Sequence, residues 1–321
     1  MFGATQCVSV LAGAAALLEL SVLTALPTQA TESSRRATQV ASACVEAPVP
    51  KCLLADAQVA AMLIEDNRSA LSALAFVQEV QALTGDRTVA LDSLRVGEVR
   101  VLGAGPELLA NYHAAVADAW AMLKDEAKTK AAIDATLDNV AAAGEYGRGL
   151  ALADIAFAQT LIGDNAGAAA SNARAITEAR PSASGPFLLA YVGWNQVFAG
   201  NPQAGLSTIQ EALAALNALQ DPDDWIAPWT LGYASIGQAL AHDAAAAATR
   251  DRLRQVVAAS ETSDTALDVQ FMLAWSDAIA GNRDQTEAIL RAHLREAYAA
   301  GNETKAVALC FAALALSQSV R

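Results

Sequence analysis

Residues 151–164 read ALADIAFAQTLIGD, and residues 188–201 read LLAYVGWNQVFAGN. Laid over each other, both place a β-branched residue (Ile155, Val192) before a small one (Ala156, Gly193). Both then place a large apolar residue (Leu161, Phe198) two positions ahead of a glycine (Gly163, Gly200), with Asp164 or Asn201 next. Apolar residues at three- and four-residue intervals mark one stripe of a helix. The glycine takes the left-handed conformation that ends the helix, and the Asp or Asn caps a second helix behind it. Each stretch therefore encodes a helix, a tight turn and the start of another helix.

The same turn recurs at Gly85-Asp86, Lys124-Asp125, Gly163-Asp164, Gly200-Asn201, His242-Asp243 and Gly281-Asn282, at intervals of 39, 39, 37, 42 and 39 residues. Such regularity is the signature of a repeated supersecondary unit. Columns away from the turn agree. Two positions before it stand Leu83, Met122, Leu161, Phe198, Leu240 and Ile279, all large and apolar. Eight before it stand Val77, Val116, Ile155, Val192, Ala234 and Leu273, and the next column, from Gln78 to Ala274, is small in five of six. Five after it stand Ala90, Thr129, Ala168, Gly205, Ala247 and Thr286, again all small.

A large apolar residue followed by a small one, a turn glycine and a small residue in the second helix together resemble the tetratricopeptide repeat, over roughly Ser69 to Ala299. That family repeats at about 34 residues. The repeat here is near 39, so the units are degenerate, with longer helices or loops. The resemblance implies an all-α fold, an α-solenoid of about six antiparallel helix pairs, whose first helices line a concave face. An extra helix is expected at each end, near 51–65 and 303–319, and one helical domain spans 51–321. Segments 181–186 and 221–228 read as long loops between units, and Gly144, Gly147 and Gly149 as a flexible link between two helices.

Composition supports this reading. The chain has 321 residues, 54% hydrophobic and 17% charged, enough to bury a core. The apolar share is carried mainly by Ala and Leu, which favour helix. The net charge of -13 repels phosphate backbones, and nucleic-acid binding needs a basic face. The densest basic stretch, Arg250, Arg252 and Arg254, is short and broken by Asp251.

Residues 1–30 read as an export signal: Val8 to Leu26 are nearly all apolar or small, and Pro27-Thr28-Gln29-Ala30 offers a small-residue cleavage site. This places the mature chain in the bacterial periplasm or outside the cell, with an uncleaved membrane anchor as the alternative. No later stretch is apolar for long enough to span a membrane. Residues 31–50 form a flexible arm rich in Ser, Thr and Pro. Cys44 and Cys52 flank its two late prolines, and in an oxidising compartment such a pair can staple the arm to the first helix. Cys310, in an apolar helix, reads as a buried free thiol.

Chemistry is sparse. His113, His242 and His293 lie in separate repeats, and no zinc, phosphate-loop or nucleophile-elbow motif occurs. No catalytic, cofactor or metal residue is expected. Four before the turn, Gln81, Gln159, Gln196, Gln238 and Asp277 form a polar column broken by Trp120. These residues are expected to be exposed, to bond between neighbouring repeats, or to meet a partner. Six before the turn stand Glu79, Asp118, Phe157, Trp194, Ile236 and Trp275, the positions that the resemblance places on the concave face. With Trp229 they give a surface acidic at one end and aromatic toward the other. Tryptophan is enriched where proteins bind partners. The expected function is thus an exported scaffold that takes a protein or peptide on this face. The alternative is a small-molecule binder or enzyme with a pocket between helices, using carboxylates such as Asp118 and Asp154.

Overall fold

A computed structural model describes residues 44–220, 225–259 and 264–319. The export signal, the arm before Cys44 and part of the 221–228 loop lie outside the described residues. Ala43–Arg321 form a single unit, and its described residues are all-α.

Fourteen α-helices follow Val49 among the described residues: α1 (Pro50–Met62), α2 (Asn67–Leu83), α3 (Arg87–Arg100), α4 (Pro106–Met122), α5 (Glu126–Asn139), α6 (Glu145–Leu161), α7 (Asn165–Ala179), α8 (Gly185–Phe198), α9 (Pro202–Ala218), α10 (Ile226–Leu240), α11 (Ala246–Ala259), α12 (Asp264–Ile279), α13 (Arg283–Ala299) and α14 (Asn302–Ser319). The turn chemistry is that anticipated. Gly85, Gly163, Gly200 and Gly281 have φ between +80° and +92°, and Lys124 and His242 adopt the same left-handed region at 59° and 55°. In the last five of these turns the next residue's N–H donates to the carbonyl five positions back, as Asp164 does to Gln159 at 2.9 Å, which closes the helix. The carboxylates of Asp66, Asp86, Asp125 and Asp164 then accept the N–H three residues on and cap α2, α3, α5 and α7.

The pairs fall into two layers. Even-numbered helices are buried around most of their circumference, as in α2, where Ala70, Ala73, Leu74, Ala75, Glu79 and Val80 cover several directions. Odd-numbered helices bury one stripe: α13 buries Thr286, Leu290, Leu294 and Ala297. Each even helix packs on the even helices before and after it and on its own odd partner, so the even helices form an inner layer and the odd ones an outer layer.

The two end helices do more than cap the array. Helix α14 packs on α12, on α2 and along α1, so the row of inner helices returns to its start. The inner layer is therefore a closed ring of seven helices, and α1 with α14 makes a seventh pair from opposite ends of the chain. Phe76 and Phe311 meet across this junction at 5.0 Å. The Tyr298 hydroxyl donates to Asp56 Oδ2 at 2.6 Å, and Arg295 reaches Glu46 at 3.0 Å. Cys44 and Cys52, with Cα atoms 5.8 Å apart, are joined by a disulfide that ties the arm to α1. Cys310 is buried.

One local expectation needs correction, and a second is decided between its alternatives. Gly147 and Gly149 are inside α6, with Gly144 as its N-cap, and form no flexible link. A Cβ on Gly147 would lie 2.9 Å from Asn111 Nδ2, and one on Gly149 3.0 Å from Leu188 Cδ1, so these glycines let inner helices approach closely. Of the readings open for the polar column, hydrogen bonding among the helices is the one found, across pairs for Gln81 with Gln58 and for Asp277. Gln159 and Gln196 accept from Ser171 and Thr208 of their own pair at 2.8 and 2.9 Å. Asp277, fully buried, holds Arg254 at 2.8 Å and Arg250 at 3.3 Å across to the preceding pair. The basic stretch on α11 is thus partly spent on an internal ion cluster.

Candidate functional site

The column six positions before the turn supplies one residue from each of six inner helices. Glu79, Asp118, Phe157, Trp194, Ile236 and Trp275 are none of them more than 7% exposed. Trp229, near the start of α10, is partly buried. The ring draws several of these side chains together at its axis. A single cavity is lined by Phe76, Glu79, Val80 and Leu83 of α2, Tyr191 and Trp194 of α8, Tyr233 of α10, Trp275 of α12, and Phe311 and Leu314 of α14. Five inner helices can meet one small cavity only near their common axis. Its free space is about 30 Å³.

The wall is a connected set of rings. Trp194 lies 5.2 Å from Tyr233 and 6.0 Å from Trp275, Tyr191 lies 5.0 Å from Tyr233, and Trp275 lies 6.2 Å from Phe311. Toward the helix starts the aromatic wall continues through Phe187, Trp229, Trp225 and Tyr146. Aromatic edges and faces at these separations favour tilted and T-shaped pairs, which stiffen the wall. The indole N–H groups of Trp194 and Trp275 are buried and find no protein acceptor.

Against this wall stand three buried carboxyls from three consecutive inner helices. Burial pushes Glu79 up to about 8, with repulsion from Asp154 adding to it. Asp118 is raised well above the usual carboxylate range by burial, then by the charges of Asp154 and Glu79. Asp154 is pushed up to about 7 by burial, while the hydrogen bond from Tyr191 and the nearby Asn195 amide pull it back. The Tyr191 hydroxyl donates to Asp154 Oδ1 at 2.7 Å. No Lys or Arg occupies the matching inward columns two, six, nine or thirteen residues before the turns, so nothing there neutralises the acids except protons.

The three carboxylates are not a preformed metal site. Among the described residues, the one group of His, Cys, Asp or Glu whose ligand atoms all lie within 4.8 Å of each other is Cys44, Cys52 and Asp56. Its two sulfurs are bonded to each other.

Phe76, Tyr191, Tyr233 and Phe311 were not anticipated. The first three, with Asp154, stand nine before their turns, one helical turn from the column that was singled out. That spacing was available as a signal, but Ala115 and Met272 occupy the same column and blur it. No family model, curated protein or solved structure matches this chain.

Proposed function

We propose that the protein binds a small organic molecule at the axis of its helical ring. The observation that carries this reading is the axial cavity, where Glu79 meets aromatic rings contributed by four other inner helices. Ligand sites combine mostly apolar and aromatic walls with a few placed polar groups, and that is the composition here. A peptide lying along the whole inner face fits less well, because most of the residues meant to receive it are buried within the ring. The reading is of a binder without a reaction.

Thermal shift with a metabolite library, read together with tryptophan fluorescence, tests it. A ligand at ~100 times its dissociation constant should raise stability by about 2.7 kcal/mol and perturb the indoles of Trp194 and Trp275. A library in which no compound moves either signal counts against the axial site.

A protein partner remains a second reading, favoured by one feature of the outer surface. Arg100 donates to the carbonyls of Met62 and Ile64, which sets the end of α3 beside the end of α1. Val59, Met62, Leu63, Val99 and Leu102 stand exposed there, Leu102 at 77%. Replacing Leu102 with Asp should abolish co-purification of such a partner while leaving ligand shifts intact.

We also propose export. The Cys44–Cys52 disulfide suits an oxidising compartment, and this carries the proposal. Intact-mass measurement of the mature chain should find residues 1–30 removed, and retention of Met1 would count against cleavage.

A further inference from the structure

We propose that the axial cavity recognises a methylated ammonium head, held between the faces of Tyr191, Trp194, Tyr233 and Trp275 and the carboxylate of Glu79. This rests on the axial binding reading above and names its ligand class.

A cation is drawn to the electron-rich faces of Trp and Tyr, most strongly where water is excluded, and aromatic cages use this attraction to recognise quaternary ammonium groups. Here the cavity is walled by such rings and contains a single carboxyl, Glu79. The field around it has one sign. The titratable groups that face Glu79 from the surrounding inner helices are Asp118, Asp154, Tyr191, Tyr233 and Cys310, none of them cationic. An anionic ligand would meet uncompensated carboxyls, and a neutral apolar one would leave Glu79 without a partner. A cation satisfies the carboxylate and the rings together. The indole N–H donors of Trp194 and Trp275 add a second demand, since they lack an acceptor in the protein. An ammonium head that carries an oxygen a short distance away supplies one. Free space of about 30 Å³ is less than such a head requires, so Leu83, partly buried at the edge of the cavity, has to swing aside on entry.

Binding also displaces the proton that burial keeps on Glu79 near neutrality. Affinity for the cation therefore rises with pH, the opposite of what a neutral ligand would show.

The test compares choline with its uncharged isostere 3,3-dimethylbutan-1-ol by calorimetry and tryptophan fluorescence on the mature chain. Choline is expected to bind at least tenfold tighter than the isostere, to tighten from pH 6 to pH 9, and to release a proton in buffers of differing ionisation enthalpy. In Glu79→Gln, which keeps the side-chain shape, the preference and the pH dependence should both shrink severalfold, leaving the part that the rings and the neighbouring carboxyls supply. Trp275→Phe keeps a ring in place and should weaken choline severalfold. Equal binding of the isostere, or choline binding unchanged in Glu79→Gln, overturns the cationic assignment and leaves the axial site standing. So does the absence of choline binding when another library compound shifts the indole signal. Absence of any axial ligand removes both readings.

Discussion

Glu79 has exchanged water for aromatic rings, and its nearest charged neighbours, Asp118 and Asp154, carry the same sign. Such an arrangement is tolerable only while protons remain in it. Unfolded, the three groups release their protons near pH 4; folded, Asp154 holds its proton to about 7 and Glu79 to about 8. Because the folded values are raised, the stability linked to the protonated trio is fully present below about pH 4 and is lost as pH climbs through 7 to 8. The melting temperature of the wild-type chain should therefore fall between pH 5 and pH 8.5. Glu79→Gln should flatten the fall and stabilise the protein at pH 8.5 by on the order of a few kcal/mol, with little effect at pH 4. A profile that rises with pH would contradict the burial of the trio. Tyr191 moderates this set, since its hydroxyl donates to Asp154. Removing the donor in Tyr191→Phe should raise the Asp154 midpoint above 7, which carboxyl-carbon NMR titration can follow.

At the scale of the helix pair, the small columns read from the sequence mark where two backbones come together. Gly193 of α8 and Gly205 of α9 face each other so closely that a Cβ on Gly205 would lie 2.5 Å from the Gly193 carbonyl oxygen and 2.8 Å from the Val197 nitrogen. Ala gains about 1 kcal/mol over Gly in a helix interior, but overpacking against backbone costs typically 1–3 kcal/mol, and neither contact is with a flexible tip. Gly205→Ala should accordingly destabilise the chain by about 1 kcal/mol net in urea unfolding. Stabilisation would mean that α8 and α9 separate readily. These contacts were legible because five of the six pairs repeat them, at Ala90, Thr129, Ala168 and Thr286 as at Gly205, all buried, while Ala247 of the remaining pair is exposed. The site was only half legible. Each inner helix faces a different sector of the axis, so the inward columns hold no constant chemistry: Glu79 and Trp275 share one column, Asp154 and Tyr191 another. Periodicity found which way these residues point, but not which of them meet.

For the whole molecule, the feature that local patterns conceal is closure, because Phe76 and Phe311 touch across more than two hundred residues of chain. Closure changes what an end helix is worth. In an open array a terminal helix contacts one neighbouring unit, and its loss leaves the remaining units stacked. Here α14 is shared by α12, α1 and α2, and its residues from Ala306 to Ala315 are almost all buried, with Phe311 and Leu309 among them. Removing it strips the covering from both ends of the ring at once and opens the axial cavity, to which it contributes Phe311 and Leu314. A chain ending at Ala300 should therefore lose cooperative unfolding altogether, giving a broad urea transition, dye binding to exposed apolar surface and no ligand-induced shift. Phe311→Ala, a milder cut at the same junction, should cost about 3–5 kcal/mol while keeping a single transition. A truncated chain that still melted sharply, only slightly below wild type, would show that the row of pairs stands without joining its ends, and the axial site would lose the wall that defines it.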